Sequence, residues 1–114
     1  MKPTLEVAFY KSTQGSEPVR DWLKSFSAAD RRIFGEEIKT VQYGWPLGMP
    51  LVRKLAPGLW EIRVILPSRT ARIIFTVRGE TMVLLHGFVK QSQKTPAADL
   101  DTANARYKEI LNGY

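Results

Sequence analysis

Six side chains in the second half of the chain have the types needed for phosphoryl chemistry: Glu61, Arg63, Arg72, His86, Lys90 and Lys94. The first three lie in GLWEIRVILPSRTARIIF, residues 58–75, which reads as two strands joined by the turn LPSRT. Alternation puts Trp60, Ile62, Val64 and Leu66 on one face and Glu61 and Arg63 on the other. In the following strand Ala71, Ile73, Phe75 and Val77 alternate with Arg72, Ile74, Thr76 and Arg78. Arg63 and Arg72 are therefore expected on one face of neighbouring strands, outside the core and within reach of one phosphate. RNA carries its own nucleophile, the 2′-hydroxyl, and attack on the adjacent phosphate builds negative charge that guanidinium groups stabilise. Lys90 and Lys94 then have three readings: contact with RNA, protonation of the leaving oxygen by one of them, or a place in a solvated loop. Glu61 either orients Arg63 through an ion pair or accepts the hydroxyl proton. His86, inside an apolar run, is either a hydrogen-bonded structural residue or a catalyst.

Other chemistries lack their residues. With one histidine and no cysteine, a two-histidine nuclease site, a thiol nucleophile and a thiolate metal site are excluded. No Gly-rich phosphate loop occurs, and Ser68 sits in a turn without a histidine–aspartate arrangement. Between residues 51 and 94 the carboxylates are Glu61 and Glu80, so neither a bound metal nor another cofactor is expected.

The 114 residues carry a net charge of +6, and all of that excess falls between residues 51 and 94. There Arg53, Lys54, Arg69 and Arg78 join Arg63, Arg72, Lys90 and Lys94, and the rest of the chain is neutral. Concentrated charge favours a polyanionic partner, so Arg53, Lys54, Arg69 and Arg78 are candidate RNA-binding residues. The 44% hydrophobic and 25% charged content suits one globular domain over residues 1–114. No apolar run is long enough for a membrane helix, and MKPTLEVAFYKS lacks a signal-peptide core; with the absence of cysteine, a cytoplasmic location is expected.

The elements that position these residues follow from periodicity. TLEVAFY, residues 4–10, alternates as a strand. Pro18 opens a short helix through VRDWLKSF, and Ser27 caps a second through RRIFGEEIKTVQYG, closed by Gly44 and Pro46. Arg31, Arg32, Glu36, Glu37 and Lys39 are balanced and read as a solvated helix face. WPLGMPLVRKLAPG reads as a loop in which Trp45 either stacks on a base or covers the core. Strands are expected at about residues 59–66, 71–77 and 81–89, joined by turns and hence antiparallel. Thr95 and Pro96 read as N-cap and first residue of a last helix through AADLDTANARYKEIL. The order is βααβββα, an α+β fold with a small antiparallel sheet.

KLAPGLWEIRV, ARIIFTV and LLHGFVKQSQKTP, followed by a helix containing ANARY, resemble the RelE superfamily of toxins from type II toxin–antitoxin systems. The resemblance covers roughly residues 50–110 and is closest to the HigB-type, phage-derived branch. It implies a RelE-like fold with two N-terminal helices packed on the sheet and a C-terminal helix. It implies metal-independent cleavage of mRNA, commonly on the ribosome, and neutralisation by an adjacently encoded antitoxin, often of helix-turn-helix type. By position, Arg63, Arg72, Lys90 and Lys94 match the basic residues that such mRNA interferases use. Two positions depart: Glu61 stands where well-known ribosome-dependent members have a basic residue, and no tyrosine follows Lys94 near the start of the last helix, where some members place one for catalysis. Relatives on the same fold poison DNA gyrase, so a gyrase-directed toxin and a silent nucleic-acid- or antitoxin-binding module remain alternatives.

Overall fold

The computed structural model describes residues 2–91 and 94–113; residues 92 and 93 of the LLHGFVKQSQKTP motif lie outside them. Along the chain come β1 (Glu6–Phe9), α1 (Pro18–Lys24), α2 (Ala28–Gly44), β2 (Val52–Ala56), β3 (Leu59–Ile65), β4 (Thr70–Arg78), β5 (Thr81–Val89) and α3 (Ala97–Leu111). The order is βααββββα, one strand more than the sequence suggests. The extra strand, β2, lies inside the proline- and glycine-rich stretch read as a loop. Val52, Arg53 and Lys54 pair with Ile62, Glu61 and Trp60 across a turn at Gly58, whose positive φ of 79° suits glycine.

The five strands form one sheet in the order β1-β5-β4-β3-β2. β2 through β5 are antiparallel neighbours, whereas β1 runs parallel to β5. The sheet is thus mixed, because the chain leaves β1 through two helices and returns along the sheet's far edge before reaching β5.

The sheet's two faces carry separate cores. On the first, Ile62, Val64, Ile73, Phe75, Met82 and Leu84 pack with Val19 of α1 and Phe34 and Val41 of α2. Ser27 caps α2 by accepting a 3.1 Å hydrogen bond from the Asp30 N–H. Trp45 belongs to this layer, edge-on to Trp60 and Phe75 at centroid distances of 5.0 and 5.6 Å, which settles its role as a cover for the core. Gly87 leaves room for the Trp22 ring; a Cβ there would meet ring atoms of Trp22.

On the second face α3 lies over Leu59, Ile74, Val83 and Leu85, bringing Ala103 with Leu100, Tyr107 and Ile110. Pro96 rather than Thr95 stands at its N-cap, and no side chain caps it. α3 covers only part of its face. The ends of β3 and β5 and the start of β4 extend past it, and that remainder carries the charged residues.

Candidate functional site

Arg63 and Arg72 are register partners on β3 and β4, so their side chains leave the same face from directly opposite positions. Like charges placed so are mutually unfavourable unless something offsets them. Glu61 offsets one. Its Oε1 lies 3.4 Å from Arg72 Nε, and both side chains are almost fully buried, at 1% and 4% exposure. Thr95 Oγ1 donates to Glu61 Oε2 at 2.9 Å, which holds the second carboxylate oxygen. Arg72 Nη1 also donates to the Ala71 carbonyl at 3.4 Å.

Three expectations are corrected here. Arg72 is not a surface residue: it is buried beside its counter-ion Glu61, whose second oxygen is held by Thr95. The ion pair runs from Glu61 to Arg72 across strands, not from Glu61 to Arg63 along one strand. Thr95, expected to cap α3, serves this pair instead.

Arg63 is half-buried, and its guanidinium lies 3.8 Å from the sulfur of Met49. Lys90 follows the end of β5, fixed beside Thr70 by a 2.7 Å backbone hydrogen bond from its N–H to the Thr70 carbonyl. Arg63, Arg72, Lys90 and Thr70 line one pocket of ≈ 280 Å³, whose other walls are Pro50, Leu51, Ile65 and Glu37. That is slightly smaller than the roughly 300–1,000 Å³ of small-molecule sites. Leu51 is placed by the hydrogen bond from the Arg63 N–H to its carbonyl, 2.8 Å. Ile65, 77% exposed, marks the open side.

The electrostatics reflect the crowding of cations. Loss of hydration lowers the Lys90 ammonium pKa below its ordinary value, and repulsion from Arg72 and Arg63 adds to this. Arg72 is lowered too, chiefly by burial and only partly offset by Glu61; a guanidinium remains protonated at neutral pH.

The remaining sequence candidates are placed elsewhere. His86 reaches the second face because of a bulge between Ile74 and Phe75, which pair with His86 and Leu84 and leave Leu85 over. Simple alternation from Met82 and Leu84 would have turned His86 toward α1 and α2. It instead meets Asp99 of α3, 2.6 Å from Nε2 to Oδ1, and stacks on Phe88. Neither His86 nor Lys94 lines the pocket, and Lys94 is exposed ahead of α3.

Arg53 is the register partner of Glu61 and shares the face of Arg63 and Arg72. Lys54 turns to the opposite face, over Trp60. Arg69, in the β3–β4 turn, lies over the Phe26 ring at 4.7 Å. Arg78 ends β4, six residues and about 20 Å from Arg72. Of the four expected RNA-binding residues, only Arg53 adjoins the arginine pair.

Sequence reasoning missed Glu37, which it assigned to a solvated helix face. A signal was available. The residues three and four positions away on α2 are Ile33, Phe34, Thr40 and Val41, none basic, so Glu37 has no helical partner for its charge.

Among the described residues, no group of three potential metal-binding side chains occurs, and no helix is long and apolar enough to cross a membrane. No curated protein matches the chain. Residues 21–108, which include every pocket-lining residue, match the model of the family described as phage derived protein Gp49-like (DUF891), and the chain belongs to that toxin-like family.

Proposed function

We propose that this protein is the toxin of a type II toxin–antitoxin system and acts as a metal-independent mRNA endoribonuclease on the ribosome. The observation that carries this reading is the pocket in which Arg63 and Arg72 face each other across two strands with Lys90 beside them. Arg63, Arg72 and Lys90 outnumber the carboxylates Glu61 and Glu37 around the pocket, which favours an anion, and a phosphodiester, with one negative charge shared over two non-bridging oxygens, suits guanidinium donors on adjacent strands.

In the proposed step the substrate's 2′-oxygen attacks phosphorus while the bond from phosphorus to the 5′-oxygen breaks. The products are a 2′,3′-cyclic phosphate and a 5′-hydroxyl. Arg63 and Arg72 stabilise the charge that grows on the phosphoryl oxygens. Lys90 protonates the departing 5′-oxygen, and its lowered pKa makes it a better donor than a free lysine. The 2′-hydroxyl proton is given up to water at the open side. Glu61, buried and held by Arg72 and Thr95, acts as a positioning residue that fixes the Arg72 guanidinium. Lys94 and Arg53 extend the basic surface along which flanking nucleotides run.

An antitoxin encoded beside the toxin is the expected protein partner, covering this basic face. The test is primer extension on cellular mRNA after brief induction, comparing wild type with Arg63→Ala. Codon-linked cuts that vanish in the variant support the reading. A DNA-damage response without mRNA cuts would instead identify a gyrase-directed toxin.

A further inference from the structure

We propose that Glu37 is a base-reading residue that selects guanine for the nucleotide held in the arginine pocket. The proposal rests on the ribonucleolytic reading for the position of the phosphate, and adds the identity of the base beside it.

Glu37 is an anomaly where it sits. It belongs to α2, on the far face of the sheet from the arginines, and meets the pocket beside Pro50 and Leu51, ahead of β2. It is half-buried, and among the described residues its carboxylate has neither an ion-pair nor a hydrogen-bond partner. A site serving a phosphate alone gains nothing from a carboxylate, which weakens anion binding. A site for a whole nucleotide gains a pair of acceptors. The pocket supplies the other requirements of a nucleotide: cations at Arg63, Arg72 and Lys90, and apolar walls at Pro50, Leu51 and Ile65 for a base. Its volume of ≈ 280 Å³, just below the usual range of roughly 300–1,000 Å³, suits a small ligand such as one nucleotide.

The chemistry of the Watson–Crick edges then names the base. An ionised carboxylate only accepts hydrogen bonds. Guanine offers two adjacent donors, N1–H and the N2 amino group, which match its two oxygens. Adenine and cytosine each set one amino donor beside an accepting ring nitrogen, and uracil flanks its one N–H with two carbonyls. Each of these three brings a lone pair against the carboxylate. Bases in single-stranded RNA present this edge freely.

The test is titration of the intact protein, followed by NMR, with the guanosine, adenosine, cytidine and uridine 3′- and 5′-monophosphates and with inorganic phosphate. Wild type should bind the guanosine nucleotides about tenfold more tightly than the others, the scale of one good bidentate contact. Glu37→Ala should remove that preference yet bind inorganic phosphate more tightly, because a negative charge leaves the pocket. Glu37→Gln should also lose the preference, since its amide sets a donor against a donor. Equal affinity for all four bases, preference for another base, or a guanine preference that survives Glu37→Ala would each overturn the proposal. If inorganic phosphate still binds in an Arg63-dependent way, only the base assignment falls. If neither phosphate nor any nucleotide perturbs the pocket resonances, the ribonucleolytic reading falls with it.

Discussion

Arg72→Ala should unfold this protein more readily than it disarms it, and the size of the effect follows from Glu61. The carboxylate is 1% exposed and pairs with Arg72 at 3.4 Å. Removing the arginine leaves that charge buried with, among the described residues, one hydroxyl donor, from Thr95. Breaking a buried pair from one side costs about 3–5 kcal/mol. Small domains have only about 5–15 kcal/mol of stability in all. The melting temperature should therefore drop by roughly 10–20 °C, at several degrees per kcal/mol for a chain of this size. The diagnostic comparison is the double variant Glu61→Gln/Arg72→Ala, in which no charge is stranded. It should be more stable than Arg72→Ala alone by about 2 kcal/mol, although it carries one more substitution. Thermal and urea melts of the wild type and three variants, followed by circular dichroism, provide the cycle. An Arg72→Ala protein that melts within about 2 °C of wild type would refute the burial argument, given the expected scale. A double variant no more stable than the single would refute the role given to Glu61.

The other expectations need smaller perturbations. Arg63 is only half-buried, so Arg63→Ala should melt within about 1 kcal/mol of wild type while mRNA cleavage falls by about 10²–10³, measured by primer extension against a melting control. Lys90→Arg keeps the charge but cannot give up a proton near neutrality, so RNA binding should persist and cleavage should fail. The wild-type rate should decline on the alkaline side below the ordinary lysine value of about 10.4, because the folded-state pKa is lowered and the proton donor is lost as pH rises through it. A pH–rate profile in a translation extract checks this. Gly87→Ala should destabilise by about 1–3 kcal/mol through the clash with the rigid Trp22 ring, visible as a lower melting temperature with the pocket untouched. Cleavage should survive chelation of divalent ions when ribosome integrity is controlled for, and co-expression of the adjacent small reading frame should relieve growth arrest.

Much of the fold is legible because its strands alternate cleanly. Residues 59–65 and 70–78 can take only one pair of faces, and short turns force them to be antiparallel neighbours. β2 escapes because its pattern is weak. VRKLA buries only Val52 fully and sits among prolines and glycines, so its pairing with β3 comes from the tertiary structure rather than from its own periodicity. The parallel pairing of β1 with β5 escapes for a different reason. Neither strand's sequence says which edge a distant segment will join, and the contact is made across two intervening helices and three intervening strands.

The site was legible at the level of charge and illegible at the level of burial, and both facts have one origin. Alternation assigns Arg63 and Arg72 to the second face, but it says nothing about what covers that face. The last helix is amphipathic, and a second helix layer on the arginine side was not implied by its pattern. α3 packs over Leu59, Ile74 and Leu85, and Thr95, just ahead of it, donates to Glu61, the counter-ion of the buried Arg72. The two arginines, equivalent in sequence, thereby diverge. Arg72 becomes a fixed charge held by a buried carboxylate, and Arg63 stays at the open side, beside Met49 and Ile65, with no ion-pair partner among the described residues. A preorganised cation next to a more accessible one is the division of labour that transition-state stabilisation favours. Under the proposed function, the buried Arg72 need not reorganise as charge develops on the phosphate, and the half-buried Arg63 can follow the substrate in.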